Sequence, residues 1–131
     1  MIVLDTHALV WWVSDAARLS VRARRAIEQC LVDARLAVST ISVLEIATAI
    51  RRDRLELNVP FERWLDDLCA LPELRFEPLS VEIASLAGNF ADTVPGDPAD
   101  RIIAATALSL GADLVSADRR LRAMPKLAVV W

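Results

Sequence analysis

The sequence predicts an α/β domain, a mostly parallel sheet of about five strands with helices on both faces. Short strand-like runs at Met1–Leu4, Leu36–Ser39, Arg75–Leu79, Leu114–Ser116 and Leu127–Val130 alternate with helix-like stretches. The first run is unbroken and apolar, as in a central parallel strand buried on both faces. No Pro/Gly/Ser-rich linker or repeat interrupts the 131 residues, so residues 1–131 are expected to form a single domain.

Each element follows from local signals. After Asp5, the apolar stretch Ala8–Val13 predicts a short helix. Its adjacent Trp11 and Trp12 point about 100° apart, so either one joins the core and the other lies nearer the surface, or both tuck under neighbouring helices. Ser20 caps a helix through about Asp33, with Ala23, Ile27 and Cys30 on one face. Ser42 followed by Glu45 has capping-box spacing and predicts a helix that ends in Arg51, Arg52 and Arg54. Pro60 stands at a permitted first-turn position of a helix with Phe61, Trp64, Leu65 and Leu68 on its apolar face, and Pro72 marks its end. Pro78 weakens the third strand. Ser80 then caps a helix containing Ile83 and Ala87. In Asp97-Pro98-Ala99-Asp100, Asp97 is the N-cap, Pro98 the first helical residue and Asp100 a first-turn acid. The following helix is nearly all apolar after Arg101 and stops at Gly111.

Composition narrows the function classes. A net charge of −3 argues against a protein that coats nucleic acid nonspecifically. Arginines do cluster, at Arg22/Arg24/Arg25, Arg51/Arg52/Arg54 and Arg119/Arg120/Arg122, either as solvated helix faces or as phosphate contacts. The longest uncharged run, Ile102–Ala112, falls well short of the roughly 18 apolar residues of a membrane span. The start lacks a basic region before its apolar run, so a cytoplasmic location is expected. Cys30 and Cys69 lack metal-ligand spacing and are expected to be buried free thiols.

Four acids fall where such a sheet gathers them. Asp5 and Asp118 follow strands, and Glu45 and Asp100 lie at the starts of helices. In parallel α/β sheets, ligands bind beyond the carboxyl ends of the strands. A pocket of carboxylates there suits a hard divalent cation. Each acid also has a plainer reading: Glu45 as a capping-box partner, Asp97 as an N-cap, Asp100 as a dipole-favoured acid, Asp118 in a solvated turn. Asp5, at the mouth of a buried strand, is the hardest to explain without a partner.

The ordered set Asp5-Thr6-His7, Ser42-x-x-Glu45-Ile46, Asp97-Pro98-Ala99-Asp100-Arg101 and Ser116-Ala117-Asp118 resembles the PIN-domain family. It is most similar to the VapC-type toxins of bacterial toxin–antitoxin pairs. The resemblance covers nearly the whole chain. It implies an α/β/α sandwich and a divalent-metal-dependent ribonuclease using Mg²⁺ or Mn²⁺. It places the catalytic acids at Asp5, Glu45, Asp100 and Asp118, with Asp97 a further acid near the metal. Asp5 and Asp100 are then the primary ligands, and Glu45 and Asp118 bind directly or through water. The hydroxyl expected at the strand end is Thr6 or Ser116. Gly96 departs from the histidine that relatives often carry there. The expected partners are an RNA substrate, a cognate antitoxin and a second copy in a homodimer.

Arg51 and Arg52, about 9–14 Å along their helix from Glu45 with Arg54, suit guidance of an RNA strand. Arg101 and Arg119, close in sequence to the acids, suit phosphate contacts or carboxylate pairs. His7, the only histidine, reads better as a structural or substrate-contacting residue than as a general base. Two rival readings are a non-catalytic, receiver-like Mg²⁺-binding domain and a PIN-type nuclease for structured DNA. The first would want a lysine beside the acids, and the sole lysine, Lys126, lies before the last strand.

Overall fold

The computed structural model describes residues 1–131. At its centre β1 (Ile2–Leu4) is flanked on both sides, and all three of its residues are buried. The sheet order is β3 (Leu74–Glu77), β2 (Leu36–Ser39), β1, β4 (Asp113–Val115), β5 (Val129–Val130), every pair parallel. Strand side chains alternate between faces, which sorts the core into two layers. Ile2, Leu4, Leu36, Val38 and Val115 face one layer. Helices α1 (Thr6–Ser14), α2 (Val21–Leu31), α3 (Ile41–Arg51) and α4 (Phe61–Cys69) contribute Leu9, Ile27, Ile46 and Trp64 to that layer. Val3, Ala37 and Leu114 face the other layer, against α6 (Pro98–Leu110) and Leu121 of the short α7 (Arg119–Arg122). Helix α5 (Val81–Gly88) packs outside α6 through Ile83, Ala87 and Ala105. The result is the α/β/α sandwich that the alternation of elements implies.

Several boundaries differ from the sequence reading, each for a local reason. Helix α1 begins at Thr6, because Asp5 caps it by accepting the Ala8 N–H at 2.8 Å. Helix α3 starts at Ile41, one residue before the expected cap Ser42. Ser39 Oγ takes the Ile41 N–H at 3.2 Å and turns the chain early, so Ser42 is an interior, buried residue and no capping box forms. Pro60 is the residue before α4, not its first helical residue. The third strand is Leu74–Glu77, ending before Pro78, which has no N–H to extend a ladder. Only Val129–Val130 of the expected last strand pairs. Cys30 is buried as expected, whereas Cys69, at the end of α4, is exposed. Trp11 and Trp12 are both half-buried.

Helix α6 ends on Gly111, whose φ of +61° is left-handed. The turn lets the Ala112 N–H reach the Ala107 carbonyl at 2.9 Å. A Cβ at Gly111 would meet nothing within 4 Å, so only backbone strain opposes it. Gly111→Ala is expected to cost about 1 kcal/mol. Thermal denaturation should show this as a fall of roughly 4 °C in Tm, and an unchanged Tm would contradict it.

Candidate active site

Strand order reverses at β1. The chain runs outward from β1 through β2 to β3, then returns to place β4 on β1's other side. In parallel α/β sheets such a switch point is where a ligand crevice forms, here beyond the carboxyl ends of β1 and β4. Asp5 follows β1 there, and its N–H donates to the Val115 carbonyl at 3.1 Å, extending the ladder by one residue. Ser116 and Asp118 follow β4. Glu45 comes from α3, which leaves β2 at the same edge. Helix α6 runs back toward the start of β4, so its first turn, with Asp97 and Asp100, faces this edge too.

Each acid has a distinct environment. Burial pushes the Asp5 carboxyl above its ordinary range, although hydrogen bonds from Ser116 and the Ala8 N–H oppose this. The Glu45 carboxyl is also raised, chiefly by burial and then by the negative charges of Asp97 and Asp5, against a hydrogen bond from Thr6. Thr6 Oγ1 contacts Glu45 Oε1 and lies 2.9 Å from Ser42 Oγ. A hydroxyl has one proton, so Thr6 gives it to the carboxylate and accepts from Ser42. Asp97 caps α6, taking the N–H groups of Ala99 at 2.8 Å and Asp100 at 3.3 Å. Asp100 is pushed up to about 6, first by burial and then by the charges of Asp97, Glu45 and Asp118. Asp118 moves the other way, held low by its hydrogen bonds to Arg120. Its carboxylate caps α7 through the Arg120 N–H at 2.9 Å, and its own N–H is tied to Ser116 Oγ at 3.1 Å.

The crevice therefore brings Asp5, Glu45, Asp97, Asp100 and Asp118 into one another's fields, with Thr6 and Ser116 among them. The other nominated residues lie differently. Arg101 donates to the carbonyls of Ala87 and Phe90, and its guanidinium lies 5.7 Å from the centre of the Phe90 ring. It fastens α6 to the segment after α5 and forms no ion pair with the acids. Arg51 and Arg52 are exposed at the far end of α3. His7 is exposed, with its ring 5.6 Å from that of Trp11.

Two residues had no individual role in the sequence reading. Ser42 was legible only as a cap, and Arg120 only as one of three clustered arginines. Arg120 bonds Asp118 bidentately and reaches Asp100 at 3.5 Å.

The donors gathered here are carboxylate and hydroxyl oxygens, a set that suits a hard cation keeping several waters. No three His, Cys, Asp or Glu side chains converge into a ready-made ion cage. Capping hydrogen bonds engage Asp5, Asp97 and Asp118, Thr6 engages Glu45, and the Arg120 side chain pairs with Asp118 and Asp100.

A sequence model of the PIN domain matches residues 2–127. The chain belongs to the PIN-domain family. It is 38% identical over 132 residues to ribonuclease VapC22 of Mycobacterium tuberculosis, covering 99% of this chain and 98% of that protein. By descent it is a nuclease-type hydrolase of the PIN family, homologous to the VapC toxins of toxin–antitoxin systems. Solved structures share its PIN fold. One is VapBC2 of Rickettsia felis bound to a promoter DNA fragment, with a TM-score of 0.73, 18% identity, and coverage of 98% of this chain and 97% of that chain. Another is FitAcB of Neisseria gonorrhoeae, with a TM-score of 0.69, 24% identity and coverage of 98% and 96%. A third is a toxin–antitoxin complex from Klebsiella pneumoniae, with a TM-score of 0.68, 21% identity and coverage of 100% and 97%.

Proposed function

We propose that this PIN-domain protein is a Mg²⁺- or Mn²⁺-dependent endoribonuclease and the toxin of a toxin–antitoxin pair. The observation that carries the reading is the gathering of five acids from four elements at the β1/β4 switch point, three of them with raised carboxyl pKa values. Burying carboxylates together is unfavourable unless a cation offsets their charge. The kinship with a ribonuclease supports RNA as the substrate class.

In this reading Asp5 and Asp100 are the primary ligands, and Glu45 and Asp118 bind directly or through water. When bound, the divalent ion supplies hydroxide near neutral pH and offsets charge on the phosphate. Thr6 and Ser42 hold Glu45 in one orientation. Ser116 steadies both Asp5 and the backbone at Asp118. Asp97 fixes the first turn of α6 and adds negative charge at the rim. Arg51 and Arg52 offer exposed positive charge for an RNA strand leaving the crevice.

An antitoxin partner suits a groove of about 370 Å³ lined by Ile50, Leu55, Leu57, Val59 and Phe61 together with Asp53 and Glu56. Exposed apolar residues such as Leu44 and Val81 suit a further interface, and a homodimer is part of the proposal. The receiver-like alternative lacks its lysine: Lys126 precedes parallel β5 and so lies toward the amino edge of the sheet, away from the acids.

The test is incubation of purified protein with labelled tRNA, rRNA and mRNA fragments and with structured DNA, in Mn²⁺ and in EDTA. RNA cleavage that needs Mn²⁺ is expected. Cleavage of DNA alone, or none with any substrate, would overturn the assignment.

A further inference from the structure

A cationic side chain already stands among the acids. Arg120 donates from Nε and Nη2 to Asp118 at 3.1 and 2.8 Å, and Nη2 lies 3.5 Å from Asp100 Oδ2. This bidentate fork is the stronger kind of charged hydrogen bond. Its hold is one-sided, however. The Asp118 backbone is fastened by Ser116, and Asp100 sits in the first turn of α6, whereas the Arg120 side chain is 66% exposed. Every ion pair of Arg120 is to these two carboxylates. The fork can therefore swing into solvent while the carboxylates stay in place.

Building on the metal-nuclease reading, we propose that Arg120 is an internal counter-cation that competes with the divalent ion for Asp100 and Asp118 and swings away as the ion binds. Two groups of like charge cannot share these carboxylates at close range without repulsion. While the fork is in place, it engages both Asp118 oxygens and offsets part of the negative charge of Asp100. The protein thereby tolerates its crowded acids without metal, at the expense of metal affinity. Arg119 and Arg122 lie in the same short helix, form no ion pairs and provide an internal control.

The test is Mn²⁺ binding, by calorimetry and by electron paramagnetic resonance of free Mn²⁺, to the wild type, Arg120→Gln, Arg120→Lys and Arg122→Gln. Melting curves without metal accompany each variant. Arg120→Gln is expected to bind Mn²⁺ about fivefold more tightly, the upper end for an exposed ion pair, and to melt lower without metal. Arg120→Lys, which keeps the charge but loses the fork, should fall between Arg120→Gln and the wild type. Arg122→Gln should bind like the wild type. Equal or weaker binding by Arg120→Gln, or equal tightening by Arg122→Gln, would overturn the competition. Absence of Mn²⁺ binding in all four proteins would overturn the metal reading as well.

Discussion

Asp100→Asn is expected to abolish RNA cleavage while making the metal-free protein more stable. The two effects share one cause. Asp100 is pushed up to about 6 by burial and by neighbouring acids, so at neutral pH it is ionised in the native state but at a cost in stability relative to the unfolded chain. Asparagine has nearly the same shape without the charge, and the Asp97 cap on the Asp100 N–H survives. Removing that unfavourable charge should stabilise the metal-free fold by on the order of 1–2 kcal/mol, allowing for screening of a carboxylate that is 26% exposed. Tm should rise by roughly 4–8 °C. Loss of a ligand should lower cleavage on the order of 10²- to 10³-fold, comparable to removing one group that stabilises a transition state. Asp5→Asn should lose activity to a similar extent, and its side-chain oxygen can still accept the Ala8 N–H. Thermal melting and single-turnover cleavage of each variant check both parts. An inactive Asp100→Asn that melts lower would point to structural damage instead.

Without metal, stability should fall as pH rises from about 4 to 7. Asp100 has a native pKa of about 6 against an ordinary 3.8. Its contribution is therefore full below about 3.8 and is lost as pH rises through about 6. Asp5 and Glu45, also raised, act in the same direction. Asp118 is lowered, so its contribution is present above 3.8 and is lost as pH falls below that. Within the window, therefore, only the three raised groups change, and all three in one direction. Saturating Mn²⁺ should reverse the trend, because it binds the ionised carboxylates of the native state. At a hundred times its Kd, it adds about 2.7 kcal/mol. Melting curves at pH 5 and pH 7.5, each in EDTA and in Mn²⁺, measure the effect. A metal-free protein that melts higher at pH 7.5 than at pH 5 would count against a mutually repelling cluster.

The frame of the site was legible because it rests on local signals. The apolar run before Asp5 specified a central strand, and Asp97-Pro98-Ala99-Asp100 specified where α6 begins. Alternating elements then placed their ends on one edge. Tertiary contacts were not legible in this way. Glu45 looked like the partner of Ser42 in a cap, but its hydrogen bond comes from Thr6, 39 residues away. Asp5, which had looked the hardest to explain without a partner, also caps α1. The direction of Arg101 depends on where Phe90 and the Ala87 carbonyl come to lie after folding. Helix α7, four residues long, has too little periodicity to read, so Arg120 could not be singled out from its neighbours.

We propose that carboxylates at the carboxyl ends of β1 and β4 hold a metal required to cut RNA. The most direct test is single-turnover RNA cleavage by the wild type and Asp100→Asn across a Mn²⁺ titration. The wild-type rate should rise from baseline in EDTA to a plateau, and Asp100→Asn should stay near baseline throughout. Wild-type cleavage that persists in EDTA, or an undiminished plateau in Asp100→Asn, would contradict it.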